Sequence, residues 1–384
     1  MIRTNKYIKA LFKNQKRPKF LLNKLFYYVL NIDYRFIDLE TITLYVNSVC
    51  NLKCKMCDVG MNNRKGIDII RAEQKKTNLD INLLKKLLND PYIKKRRIIF
   101  NIALTEPLLH PKIEEIVRLI KEKRHFVKIT TSGLLLPSKA EGLVKAGLDE
   151  IQVSIYGNEE INKNITGVDI SYKNAIEGIR KLNGKVRLLI NCTVTNLNYF
   201  HITDFLESIN NEGIRIDTLK FLFMEFVSSK MKEQHNKISD IKHTESCVSD
   251  IVNPENVDAK ELSEKLKSIR IKDYENIKEI DIIPFITDEE GIRRYFNNKG
   301  EKIKGNDKCF IIWSKFAFNT DGKVSINMRC FNYSLGDFNN NTIKEIFVKG
   351  KLANEFRRKM KENDYCFPAC TRCCGTMRYG KSVK

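Results

Sequence analysis

Residues 41–57 read TITLYVNSVCNLKCKMC. The first six, Thr41–Val46, are β-branched or apolar, the composition of a buried strand. Cysteines at 50, 54 and 57 follow, with gaps of three and two residues. Thiolates so spaced suit an iron–sulfur cluster, whose common form takes four cysteine ligands. Three local ligands leave one iron open, and an open iron can bind a cofactor and pass it an electron. Spacing alone keeps three other readings open. A zinc site needs a fourth Cys or His supplied from afar. A plant-type ferredoxin has a different first gap and a distant fourth cysteine. Chance clustering of buried cysteines is the third.

Outward from this stretch the chain alternates. Strand-like runs at Arg97–Ala103, Phe126–Thr131, Glu150–Ile155, Val186–Thr195 and Asp217–Phe226 are separated by helix-like stretches near 79–90, 111–124, 137–147, 171–182 and 200–212. Six strands alternating with helices predict a parallel β/α sheet, open or curled into a partial barrel. Ile151, Val153 and Ile155 alternate with Gln152, Ser154 and Tyr156, and Ile190, Cys192 and Val194 with Asn191, Thr193 and Thr195. Successive side chains face opposite sides of a strand, so one face is apolar and the other polar. A polar inner face predicts a concavity that holds a ligand. Cys192 falls on the apolar face, as a buried structural thiol does.

The chain resembles the radical S-adenosylmethionine (SAM) superfamily at several places. CNLKCKMC follows the first strand, ALTEPLLHP the second and TTSGLLL the third, and IQVSIYG forms the fourth. The resemblance covers about residues 40–226. It implies a partial (β/α)6 TIM-like barrel of the α/β class, with Cys50, Cys54 and Cys57 holding a [4Fe-4S] cluster whose open iron binds SAM. It further implies that Met56 lines the adenine site and Glu106 accepts a hydrogen bond from the SAM ammonium. Ser132, Ser154 and Asn191 become contacts to ribose or carboxylate. Leu104 and Thr105 depart from the resemblance, standing where the family has glycines. His110 is expected as a structural hydrogen bonder.

The last quarter holds six of the eleven cysteines. Cys370 and Cys373 form a CxxC that, with Cys309 and Cys330, suits either structural zinc or a second iron–sulfur cluster. The order Cys309, Trp313, Asp321-Gly322, Cys330, Cys370-x-x-Cys373 resembles the SPASM/twitch extension of radical SAM proteins. The resemblance implies one auxiliary [4Fe-4S] cluster on Cys309, Cys330, Cys370 and Cys373, with Cys366 or Cys374 as substitutes, in a small cysteine-rich α+β extension.

The implied organisation is a basic helical segment over 1–39, the barrel over 40–226, a charged helical insert or linker over 227–308, and the extension over 309–384. With 42% hydrophobic residues the chain is not disordered. No apolar run reaches eighteen residues, so no transmembrane helix is expected, and residues 20–32 do not form a signal peptide. Thiols clustered at short gaps place the chain in a reducing cytoplasm. The net charge is +21, and eight Lys or Arg precede Asp33. This favours contact with anions, including a peripheral membrane contact through the N-terminus, without specifying nucleic acid.

The expected function is radical SAM chemistry, an oxidoreductase or epimerase type: reductive cleavage of SAM to a 5′-deoxyadenosyl radical that takes a hydrogen atom from a small hydroxylated or sugar-like substrate. Gln152, Tyr156, Asn191, Thr193 and Glu225 suit hydroxyl recognition. Such an enzyme needs a reducing electron donor such as flavodoxin or ferredoxin. The alternatives are maturation of a ribosomally made peptide or protein, and a non-catalytic electron carrier or zinc-stabilised nucleic-acid binder. No side chain is singled out as the catalytic hydrogen donor or base.

Overall fold

The structure is a computed structural model that describes residues 38–58, 77–182, 184–303, 308–326, 333–373, 376 and 381–383. The helices expected before Asp38 lie outside the described residues, as do Cys330 and Cys374. Seven parallel strands stand side by side in chain order: β1 (Thr41–Leu44), β2 (Ile99–Ile102), β3 (Phe126–Thr131), β4 (Glu150–Ser154), β5 (Arg187–Val194), β6 (Thr218–Phe223) and β7 (Ile280–Ile283). Helices fill the crossovers that parallel pairing demands. They are α1 (Ile81–Asn89), α2 (Ile113–Glu122), α3 (Leu136–Lys145), α4 (Glu159–Thr166), α5 (Ser171–Leu182) and α6 (Ile202–Asn211), then α7 (Ser229–Ile238) and α8 (Ala259–Ser268) before β7 and α9 (Glu289–Phe296) after it.

The sheet continues past both ends of this series. β8 (Lys315–Phe318) pairs parallel with the free side of β1, and β9 (Lys323–Ser325) and β10 (Ser334–Asp337) follow antiparallel. β11 (Lys381–Val383) pairs antiparallel with β7. The cysteine-rich extension thus shares one sheet with the barrel strands. The stretch 227–308, expected as an insert or linker, supplies β7 to that same sheet.

Local chemistry sets the boundaries. Asp80, Asn158, Asp258 and Asp288 cap α1, α4, α8 and α9 by accepting from free N–H groups of the first turn. In α2, Ile113, Ile116, Val117 and Ile120 recur at helical spacing and are buried. The hairpin turn falls at Asn319–Gly322, between β8 and β9, where Asp-Gly predicts it. The helix expected from Thr342 arrives in two parts. Thr342 and Glu345 form a reciprocal capping box, one turn of π-helix (Lys344–Val348) follows, and α10 (Lys351–Glu362) begins after Gly350.

The two faces of the sheet differ as strand parity requires. Ile102, Ile129, Ile151, Val153, Leu219 and Phe221 are buried, whereas Asn101, Lys128, Gln152, Ser154 and Lys220 are half-buried. Register aligns the polar set into rows: Thr43, Asn101, Lys128, Glu150 and Arg187 in one, and Ser154, Asn191, Lys220 and Asp281 in another.

Gly133, just after β3, has φ +83, and a Cβ there would lie 2.8 Å from Ala175 Cβ and 3.0 Å from Val153 Cγ1. Both the backbone and the space require glycine. Gly133→Ala is expected to lower stability by about 2–3 kcal/mol in urea unfolding. An unchanged midpoint would contradict this packing.

Candidate metal centres and cofactor site

The loop leaving β1 carries Cys50, Cys54 and Cys57, with Cys54 buried and the other two half-buried. Burial first, then the charges of Cys57 and Cys50, push the Cys54 thiol up, so the three sulfurs lie within electrostatic reach of one another. Burial, then Cys54 and Cys57, push the Tyr156 phenol up, so Tyr156 lies within electrostatic reach of the cysteine loop. Met56 is buried within the same loop.

Asn47 fastens this loop to the one after β2. Its Nδ2 donates to the Glu106 carbonyl at 2.8 Å, and its Oδ1 accepts from Val49 N at 3.1 Å and Thr105 Oγ1 at 2.7 Å. Thr105 thus makes a bond that glycine at this position lacks. Leu104 keeps φ at +98 although it carries a side chain. That backbone region is strained for any residue but glycine.

Glu106 is 1% exposed. Its Oε1 accepts from Leu108 N at 3.1 Å and Thr131 Oγ1 at 2.7 Å, and its Oε2 from Ser132 N at 2.9 Å and Ser132 Oγ at 2.6 Å. Four donors match the four lone-pair sites of a carboxylate. The carboxylate ties the loop after β2 to the end of β3 and to the residue that follows it. His110 accepts at Nδ1 from Lys112 N (3.1 Å), so its proton sits on Nε2, which donates to the Leu79 carbonyl (3.2 Å). Burial lowers its pKa. It is a neutral structural group, as expected.

Further along the inner face, Arg187 donates to Glu150 Oε2 (2.9 Å), Gln152 Nε2 to Glu150 Oε1 (2.7 Å), and Asn191 Nδ2 to Gln152 Oε1 (3.2 Å). The carboxylate fixes both amide orientations, because it accepts and the amide NH2 groups donate. Among the described residues Asn191 Oδ1 is buried without a hydrogen-bond partner, as are Asn101 Oδ1 and Thr43 Oγ1. Cys192 is buried, and burial pushes its thiol up.

A second group of thiols gathers in the extension. Cys309 N donates to the Tyr365 carbonyl at 2.8 Å, which sets Cys309 beside Cys366. Cys370 N donates to Phe367 O (2.8 Å) and Cys373 N to Cys370 O (3.1 Å), folding the CxxC into a tight turn. Cys309, Cys366 and Cys370 are buried and Cys373 half-buried.

Residues 44–209 match the family described as the radical SAM superfamily, and residues 309–374 match an iron–sulfur cluster-binding domain, SPASM. The chain carries a radical SAM domain and a SPASM domain. It is 34% identical over 182 residues to a probable GTP 3′,8-cyclase of Saccharolobus islandicus, covering 46% of this chain and 54% of that protein. A probable GTP 3′,8-cyclase of Methanocaldococcus jannaschii is 27% identical over 54% of this chain and 66% of its own. The chain thus spans about half the length of the first of these relatives. Streptococcus suis SuiB bound to S-adenosylmethionine shares the fold with a TM-score of 0.59 at 14% identity, covering 97% of this chain and 82% of SuiB. Native anSMEcpe with bound AdoMet does so with 0.57 at 17%, over 88% and 90%.

The two domains imply [4Fe-4S] clusters and SAM. The donor chemistry of the two domains suits them, with thiols on the loop after β1 and in the extension that a bound cluster holds as thiolates, although among the described residues no three His, Cys, Asp or Glu side chains are gathered as a metal site. Two supports have no local sequence signal. Asp58, adjacent to Cys57, accepts from Ser246 Oγ (2.5 Å), Cys247 N (2.6 Å) and Cys247 Sγ (3.4 Å), so a loop from the 227–308 stretch docks beside the first thiols. Asn47 is the other. No helix among the described residues is long and apolar enough to cross a membrane.

Replacing Asn47 by Ala removes three hydrogen bonds and leaves buried partners unmet. The expected loss is about 2–3 kcal/mol in urea unfolding, with less iron retained after anaerobic reconstitution. Wild-type values of both would show that the loop holds its shape without Asn47.

Proposed function

We propose that this chain is a radical SAM enzyme in which Cys50, Cys54 and Cys57 hold the SAM-binding [4Fe-4S] cluster. The observation that carries the reading is the set of three cysteines on the loop after β1, within electrostatic reach of one another and beside a polar sheet face whose Asn191 and Asn101 acceptors have no hydrogen bond among the described residues. The bound cluster and SAM together supply an electron transfer that splits the sulfonium and releases a 5′-deoxyadenosyl radical. The chain's residues orient and enclose this chemistry. Met56 gives an apolar wall for the adenine. Asn191 Oδ1, with no protein donor among the described residues, accepts from a ligand hydroxyl or ammonium. Ser132 and Ser154 sit on the loop after β3 and the end of β4. Glu106 offers an acceptor to the SAM ammonium when the Ser132 hydroxyl turns from it, and otherwise holds the site together.

The extension would carry one auxiliary cluster on Cys309, Cys330, Cys370 and Cys373. Cys366, buried beside Cys309, is the described alternative ligand. The domain limits 40–226, 227–308 and 309–384 are retained as working boundaries, and cytoplasmic location and a flavodoxin- or ferredoxin-type electron donor belong to the same proposal.

For the substrate, a small hydroxylated or sugar-like molecule is favoured. The unmet acceptors Asn191 Oδ1 and Asn101 Oδ1 lie on the half-polar inner face, where hydroxyl groups are natural partners. The curated relatives are named for a reaction of GTP, a sugar-bearing small molecule. Oxidation or epimerisation is the expected outcome. Peptide maturation is the second reading, prompted by the fold shared with SuiB bound to its precursor peptide SuiA and with anSMEcpe bound to a peptide.

Anaerobically reconstituted protein given SAM and a strong reductant is expected to form 5′-deoxyadenosine, and Cys54→Ala to form none. Equal amounts from both, or none from a wild type with filled iron sites, would oppose the enzyme reading. Faster formation on adding a sugar or nucleotide, against a peptide library, would choose between the substrates.

A further inference from the structure

Arg372 lies inside the CxxC, between Cys370 and Cys373, and is 0% exposed. A buried guanidinium is costly unless its charge and its N–H groups are both satisfied. Its donors are well served. Nε donates to the Tyr295 carbonyl, Nη1 to the carbonyls of Glu301 (2.7 Å) and Thr371 (3.1 Å), and Nη2 to that of Arg294 (2.7 Å). Every acceptor is a neutral backbone carbonyl. Among the described residues no carboxylate forms a salt bridge with Arg372, and the Glu301 carboxylate instead pairs with Arg294 at 3.3 Å. The guanidinium also lies 5.1 Å from the centre of the Tyr295 ring. Four of its five N–H groups have a carbonyl acceptor, and no salt bridge among the described residues matches the charge.

Part of the answer is local. Arg294 and Tyr295 belong to the last turn of α9, whose free carbonyls carry partial negative charge and favour a cation. A surface arginine meets that need without burial. This one is flanked in sequence by Cys370 and Cys373, and it interacts electrostatically with Tyr295 and Glu301 first and then with Cys366.

Resting on the auxiliary-cluster reading above, we infer that Arg372 is the buried counter-charge of the second metal centre. Four thiolates around a [4Fe-4S] core with charge +2 give net −2, and reduction by one electron gives −3. A fixed positive charge next to the ligands stabilises the more negative state and so raises the reduction potential. Arg372 is a positioning and tuning residue. It pins the CxxC to α9, and its charge eases the acceptance of an electron by the cluster.

The test is a redox titration of the second cluster, followed by EPR, in full-length protein carrying Cys50→Ala, Cys54→Ala and Cys57→Ala so that only this centre remains. Arg372→Gln, which keeps an NH2 donor but no charge, is expected to hold the same iron and to be reduced at least tenfold less favourably. That is a fall of about 59 mV for a one-electron couple. Arg372→Lys is expected to keep the parental midpoint. An unmoved midpoint in Arg372→Gln with full iron would overturn the inference and leave the cluster reading standing. Should Arg372→Gln take up no iron, Arg372→Lys decides. Uptake at the parental midpoint supports the charge, whereas failure of both overturns it in favour of the guanidinium's shape alone. Zinc in place of iron in the parent overturns the cluster reading, and the inference with it.

Discussion

A buried carboxylate is tolerated only when its oxygens are hydrogen-bonded. Glu106 meets that demand by drawing donors from two segments at one end of the sheet: Leu108 from its own loop, and Thr131 and Ser132 from the end of β3 and the residue that follows it. Its backbone carbonyl accepts from Asn47, on the loop that carries the three cysteines. One residue thus sets three βα loops against one another. The thiols, the serines and the polar sheet face share a frame because of it. Strain at Leu104 is stored beside this knot, and the Thr105–Asn47 bond offsets it.

The second thiol group depends on a comparable knot of opposite sign. There a guanidinium is buried, its acceptors are the carbonyls at the end of α9, and the CxxC is folded around it. The 227–308 stretch serves both centres. Its Ser246–Cys247 loop docks on Asp58 beside the first, and α9 receives Arg372 beside the second. What reads along the sequence as a charged insert is, in the fold, the brace between two sites.

The six barrel strands were legible because period-two alternation and turn residues are local signals, and Ile151/Val153 against Gln152/Ser154 already separates the two faces. The cysteine loop was legible because its ligand candidates are close in sequence. The place of β7 in the sheet rests on its pairing with β6. α4 was missed, although Asn158 and Gly167 bracket it with cap signals. The roles of Tyr156, Asn47 and Asp58 depend on partners about 60 to 190 residues away, which no window along the chain contains. Strand parity puts the Tyr156 ring on the face of Gln152 and Ser154, and only the fold shows that Cys54 and Cys57 lie within electrostatic reach of it.

The most direct test of the central claim is EPR of the anaerobically reconstituted, dithionite-reduced protein with and without SAM. The account predicts a reduced [4Fe-4S] signal whose shape changes when SAM is added, and loss of that SAM-sensitive signal in Cys54→Ala while a second, SAM-insensitive cluster signal persists. A protein that binds zinc at Cys50, Cys54 and Cys57, or a cluster signal indifferent to SAM in the wild type, would contradict it.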